Sequence, residues 1–338
     1  MYNVGFGDCF CLRDRKNNLL VDFGTSNNRI EGRPRRDIFD MVISDLTTIS
    51  RKNLLLTHFH LDHLSGLLYM LKKRRDSFEF GKIYLPDVFS IPEMNGILGL
   101  LLLADLVKDS CLPSHQVSFF ALVEALSRHP QKVELLSRGT VFEDRYRALW
   151  PDQRVILKET EEISSVPELE REFRSLRSTS EFQQLLEELE LRELELRHFK
   201  SKIGIVFQNK EDGDWNLLFT GDVQPEHMKM IAENYDGKYP LYEQYWCIKV
   251  PHHGTESHYF DFRPYMPENL LISNGIYHAT SKKRARMYRT STQYTGLFHI
   301  GEADTCMCCS NSDCCDGCRD GCSCREQHII APNYYFDI

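Results

Sequence analysis

The segment Thr57-His58-Phe59-His60-Leu61-Asp62-His63 constrains this chain more than any other. It places three histidines and an aspartate directly behind the apolar run Leu54-Leu55-Leu56, which reads as a buried strand. Residues 64–73 have helical spacing, so the cluster falls on a strand-to-helix loop. A strand's period of two carries His58 and His60 to one side, and the turn into the helix presents Asp62 and His63 to a neighbouring point. Imidazole nitrogens with a carboxylate oxygen are the donors that zinc and similar divalent ions take. The bland alternative is a polar loop that happens to be rich in histidine. Four donor-type residues at this spacing favour the metal site.

Further along, apolar strands end repeatedly in short polar motifs. Leu19-Leu20-Val21 runs into Asp22-Phe23-Gly24-Thr25, and Trp215 to Phe219 into Thr220-Gly221-Asp222. Cys247 to Val250 runs into Pro251-His252-His253-Gly254-Thr255, and Leu270 to Ser273 into Asn274-Gly275. Layered α/β proteins gather functional residues at one edge of their strands, and these motifs fit such an edge. Asp222 would supply a carboxylate that bridges two ions, and His252 or His253 a further imidazole. Asp22 is either a turn residue or the partner that orients a metal-bound histidine. Strand signals at 82–86, 132–136 and 146–150 alternate with a helical pattern at 38–49, which predicts a layered α/β architecture.

A chain of 338 residues with 42% hydrophobic and 27% charged residues is of the globular kind. No leader pattern opens it, and the longest apolar run, 97–104, is too short to span a bilayer. A cytoplasmic protein without membrane contact is therefore expected. The net charge of −8 argues against a histone-like nucleic-acid binder but leaves room for local basic runs at 72–75 and 282–289. Residues 158–197 are dense in glutamate and arginine with apolar residues at helical spacing, and read as a helical insertion. It would cover the active site, offer a protein-partner surface, or simply pack on the core. Of the twelve cysteines, eight lie between Cys306 and Cys324. That insert is either a thiolate site for additional zinc or a reduced loop.

The sequence resembles the metallo-β-lactamase-fold hydrolases through Gly5 to Asp8, Leu19 to Thr25, Thr57 to His63, Thr220 to Asp222 and Pro251 to Thr255. The paired histidines and the Gly-Phe-Gly-Asp start are most similar to a branch that includes the hydrolase domain of DNA-uptake competence proteins. A single domain over 1–338 is expected, with the helical insertion at 158–197 and the Cys-rich C-terminal loop at 306–324. The resemblance covers roughly residues 1–300, excepting 158–197, and implies an αββα sandwich. It implies two divalent ions, zinc first and manganese second. His58 and His60 would bind one ion, and Asp62, His63 and His253 the other. Asp222 would bridge them, with Asp22 supporting the shell. His198 is the candidate third ligand of the first ion. Asp62, His252 and His278 would work on the substrate, with His252 contacting a phosphate or protonating a leaving group.

A water shared by two ions is a nucleophile near neutral pH. The sequence-based expectation is a metal-dependent phosphodiesterase, specifically a nuclease acting on DNA or another nucleic acid. Two alternatives stand beside it. One keeps the site and hydrolyses an ester, lactone or thioester; the other is a non-catalytic interaction module.

Overall fold

The computed structural model describes residues 1–2, 4–13, 18–30, 33–73, 80–87, 132–161, 202–273, 288 and 298–300. His198, His278, most of the insertion (162–197), the basic run at 282–289 apart from Tyr288, and the cysteine tract lie outside these residues.

Two β-sheets form the framework. The first holds β1 (Phe10–Leu12), β2 (Asn18–Val21), β5 (Lys52–Leu55), β6 (Ile83–Pro86) and β7 (Val133–Leu136), in that spatial order. From β2 onward its strands are parallel. The second runs in the order β14 (Phe298–Ile300), β13 (Pro267–Leu271), β12 (Tyr245–Lys249), β11 (Leu217–Phe219), β10 (Val206–Asn209), β9 (Tyr146–Trp150), β8 (Val141–Phe142). Strands β11 to β14 are parallel, and β8 to β11 antiparallel. A small ribbon, β3 (Arg29–Ile30) with β4 (Arg33–Pro34), stands apart.

The strands read as unbroken apolar runs because both faces are buried. In β2, Leu19 and Val21 enter the cluster between the sheets while Leu20 enters the helix-side cluster; Leu217, Phe219 and Leu218 of β11 divide in the same way. Between the sheets Phe10 meets Phe219 edge-on at 5.4 Å, and Phe207 stacks on Phe219 at 5.0 Å. Helix α1 (Arg35–Thr48) covers the first sheet, with Phe39 at 5.2 Å from Phe23 beyond the end of β2. On the second sheet, α4 (Pro225–Ala232) lays His227 on Trp150 at 4.5 Å, and His227 reaches Glu159 of α3 (Gln153–Glu161) at 2.7 Å. The order helix, sheet, sheet, helix is the expected αββα sandwich. Residues 158–161, which the sequence assigns to the insertion, continue α3 of this framework.

One local expectation holds and one changes. Strand β5 stops at Leu55, so His58 and His60 lie on the expected strand-to-helix loop, beyond the reach of the strand's alternation. Helix α2 spans Leu61–Lys73, three residues earlier than its apolar spacing suggests, and takes Asp62 and His63 into its first turn. A carboxylate is favourable at a helix N-terminus, and tertiary bonds fix this start. Phe23 N–H donates to the His63 carbonyl at 2.7 Å, Asp8 N–H to that of Asp62 at 3.0 Å, and Gly66 N–H to Phe23 at 2.8 Å. Gly24 makes this approach feasible, since a Cβ there would stand 2.5 Å from the Leu64 nitrogen.

Candidate metal centre

The ends of β2, β5, β11, β12 and β13 converge on one edge, where the predicted donors meet. Asp62, His63, Asp222 and His253 offer atoms within 4.8 Å of one another, as do His58, His60 and Asp222. Asp222 belongs to both groups through the same oxygen. Its Oδ2 lies 3.4 Å from His58 Nε2, 3.4 Å from His63 Nε2 and 3.6 Å from His252 Nε2. Asp62 and His253 close the second group, Oδ2 to Nε2, at 3.2 Å. His58 Nε2 and His60 Nδ1 are 3.0 Å apart in the first.

These donors fit a metal. Both oxygens of Asp222 and Nε2 of His63 are buried, yet no described residue gives them a hydrogen bond. Oδ1 has an ion-pair partner in Lys249 at 3.7 Å, but Oδ2 faces the imidazole nitrogen of His63 without a hydrogen bond. Since buried polar atoms are nearly always satisfied, this marks a place for a cation. The charge balance says the same. Burial disfavours the ionised form of Asp222, but His63, His252 and His58 outweigh it and hold the carboxyl well below its ordinary range. In return His63 is pushed well above 6.5, against its burial, by Asp222, Asp22 and Asp8. His253 is pushed up to about 9, burial notwithstanding, chiefly by Asp8 and Asp222. Metal-free, the site keeps protons where cations would sit, and metal uptake has to release them.

A shell of partners orients the donors. Asp22, buried and with φ 56°, accepts the Thr57 N–H and hydroxyl at 2.7 Å each and lies 2.8 Å from His63 Nδ1. That contact leaves Nε2 of His63 facing Asp222, the supporting role expected of Asp22. His58 Nδ1 meets the Thr57 hydroxyl at 3.1 Å. His253 Nδ1 meets the Ser273 hydroxyl at 3.1 Å, and that hydroxyl donates to Asp8. His252 and His253 both have positive φ, 46° and 57°. Such backbone is uncommon outside glycine and is retained where a side chain must be aimed.

His252 differs from its neighbours because it is partly exposed, with 30% of its side chain accessible. Its Nδ1 is 2.7 Å from the Thr255 hydroxyl, and its ring packs 4.1 Å from that of His258. Burial pulls its pKa down to about 3 despite Asp222, so near neutral pH it is a neutral imidazole. That suits it to donate a hydrogen bond more than to deliver a proton.

Sequence reasoning gave no role to Asp8, Lys249 or Ser273. Lys249 is fully buried, with its ammonium 2.6 Å from Asp8 Oδ2 and 3.7 Å from Asp222 Oδ1. A charge inside the apolar run Cys247-Ile248-Lys249-Val250 was the available signal. Ser273 and the Asp8 it serves are 265 residues apart, and although each lies in a motif the sequence shows, nothing local marks their pairing.

Residues 2–77, which carry the first histidine cluster and Asp22, match the family model described as the metallo-beta-lactamase superfamily. The chain has the metallo-β-lactamase fold. A comparison with curated proteins returns no match. Among solved structures, a similar one is AidC, a dizinc quorum-quenching lactonase in complex with the product N-hexnoyl-L-homoserine. The identity is 12% and the TM-score 0.35, over 67% of this chain and 59% of AidC, so the likeness spans less than two thirds of AidC. The family match covers the first histidine cluster, and the donor sets that the fold gathers at one edge could hold metal ions. Among the described residues no helix is long and apolar enough to cross a membrane.

Proposed function

We propose that this chain is a metal-dependent hydrolase, a dinuclear phosphodiesterase with nucleic acid as its substrate class. The observation that carries the reading is the single buried oxygen, Asp222 Oδ2, standing between two donor sets. His58, His60 and Asp222 would hold one ion, and Asp62, His63, Asp222 and His253 the other. Zinc suits this imidazole-rich set, and manganese suits its carboxylates. Divalent ions held there lower the pKa of water towards neutrality and offset negative charge building on a phosphoryl group.

The chain's own residues supply the rest. Asp62 is held ionised, because His253, His63 and their hydrogen bonding outweigh the penalty of its burial. It therefore stays anionic, a ligand for a cation and not a source of protons, near neutral pH. His252, neutral and at the accessible side of Asp222, offers an N–H to a phosphoryl oxygen. Cys9, Cys11 and Cys247 are free thiols, which fits a reducing, cytoplasmic setting. His198 as a third ligand, His278 at the substrate, zinc in the cysteine insert and a protein partner on the insertion's helices remain proposals from the sequence alone.

The test is hydrolysis of bis-p-nitrophenyl phosphate and of single- and double-stranded DNA by zinc- or manganese-loaded protein. A homoserine lactone and a thioester serve as competing substrates. Phosphodiester turnover is expected, reduced roughly 10²-fold or more in His252→Ala, which removes the N–H donor, with metal content retained. Turnover of the lactone or thioester alone would overturn the phosphodiesterase reading and leave the hydrolase standing.

A further inference from the structure

Lys249 is 1% exposed, the one lysine so buried among the described residues. The β11–β12 register sets it opposite Phe219, one residue before the Thr220-Gly221-Asp222 turn. From there its ammonium reaches Asp8 Oδ2 at 2.6 Å, the Gly221 carbonyl at 3.1 Å and Asp222 Oδ1 at 3.7 Å. The turn is also tied to the lysine's backbone, since the Thr220 hydroxyl donates to the Lys249 carbonyl at 2.6 Å. A lysine is buried this deeply only when paired and hydrogen-bonded.

The consequence lies in how Asp222 is turned. Its Oδ1 faces Lys249, while Oδ2 faces His58 and His63 at 3.4 Å each. A carboxylate free to rotate could instead offer one oxygen to each donor set. We infer that Lys249 is a positioning residue: its ammonium attracts Oδ1 as an ion pair at 3.7 Å and leaves Oδ2 turned towards both metal positions. The inference rests on the dinuclear reading above and adds the device that fixes its bridge.

Lys249 has a second partner in Asp8, and Asp8 lies 3.3 Å from His253 Nδ1, so the test has to separate the two. Full-length wild type, Lys249→Met, Lys249→Arg and the double variant Lys249→Met/Asp8→Asn are titrated with Mn²⁺. This ion prefers carboxylate and imidazole to thiolate, which keeps the cysteine tract silent. Bound manganese per chain is counted, and electron paramagnetic resonance reports whether two ions are coupled through a shared oxygen. Circular dichroism without metal reports the fold. The double variant removes the ammonium without stranding the Asp8 charge. Expected is a coupled pair in the wild type, and about tenfold or greater loss of the second ion with the coupled signal gone in both methionine variants. Lys249→Arg should recover part of it. A double variant that binds a coupled pair like the wild type would overturn the inference, because the lysine would then serve Asp8 alone. A double variant unfolded without metal would overturn it as well, because the role would be structural. Failure of the wild type to bind a pair refutes the dinuclear reading itself, whereas normal pairs without phosphodiester turnover refute only the substrate assignment.

Discussion

Asp22→Asn changes one atom, and the geometry says which donor it disables. Asp22 Oδ1 accepts the Thr57 N–H at 2.7 Å, and an asparagine carbonyl can keep that bond. Its NH₂ then replaces Oδ2, which lies 2.8 Å from His63 Nδ1 and accepts the Thr57 hydroxyl at 2.7 Å. An amide nitrogen only donates. His63 Nδ1 has to accept, its proton moves to Nε2, and Nε2 is the atom that faces Asp222 at 3.4 Å. A protonated nitrogen is no ligand. The backbone is not the cause, because asparagine tolerates the left-handed φ of 56° at this position. Losing such an orienting partner costs about 10–100-fold in metal affinity, or about 1.4–2.7 kcal/mol. Zinc competition against a chromophoric chelator measures it, and a melt without metal controls for the fold. The loss should fall first on the ion of Asp62, His63 and His253, with a smaller loss at that of His58 and His60, because the Thr57 hydroxyl freed from Oδ2 also meets His58 Nδ1 at 3.1 Å. Wild-type affinity for both ions in a folded variant would refute the tautomer argument.

Gly24→Ala would put a Cβ 2.6 Å from the backbone carbonyl carbons of Asp62 and His63, so the start of α2 must shift. A loss of about 1–3 kcal/mol should appear in thermal or denaturant melts, together with weaker metal binding. The hydrogen bond from Arg138 pulls the Asp236 carboxyl from 3.8 down to about 2. A folded pKa below the unfolded one means that this stabilisation is complete above about pH 4 and fades as pH falls towards 2. Allowing for solvent screening it is about 1 kcal/mol; in Asp236→Asn, melts between pH 5 and 2.5 should lose that part of their slope.

The metal cluster could be read from the sequence because its parts are short and each follows an apolar strand. Thr57 to His63, Thr220 to Asp222 and Pro251 to Thr255 announce themselves, and the structure brings their donors to one edge. Less visible was how the donors are held. The loop that carries His58 and His60 was legible, but not that they are brought together by side-chain contacts instead of by strand alternation. The start of α2 was misjudged because its tethers come from Asp8 and Phe23, far back in the chain. Ser273 depends on an aspartate at the other end of the chain, and only the folded register of β11 and β12 shows what Lys249 touches. Donor identity is a local property of the chain; support for the donors is tertiary.

The central claim is that Asp222 Oδ2 stands between two ions. A crystal of zinc-loaded protein, with diffraction collected on both sides of the zinc absorption edge, tests it directly. Two anomalous peaks flanking that oxygen are expected, one among His58 and His60 and one among Asp62, His63 and His253. A single peak, or none, at this carboxylate would contradict the account.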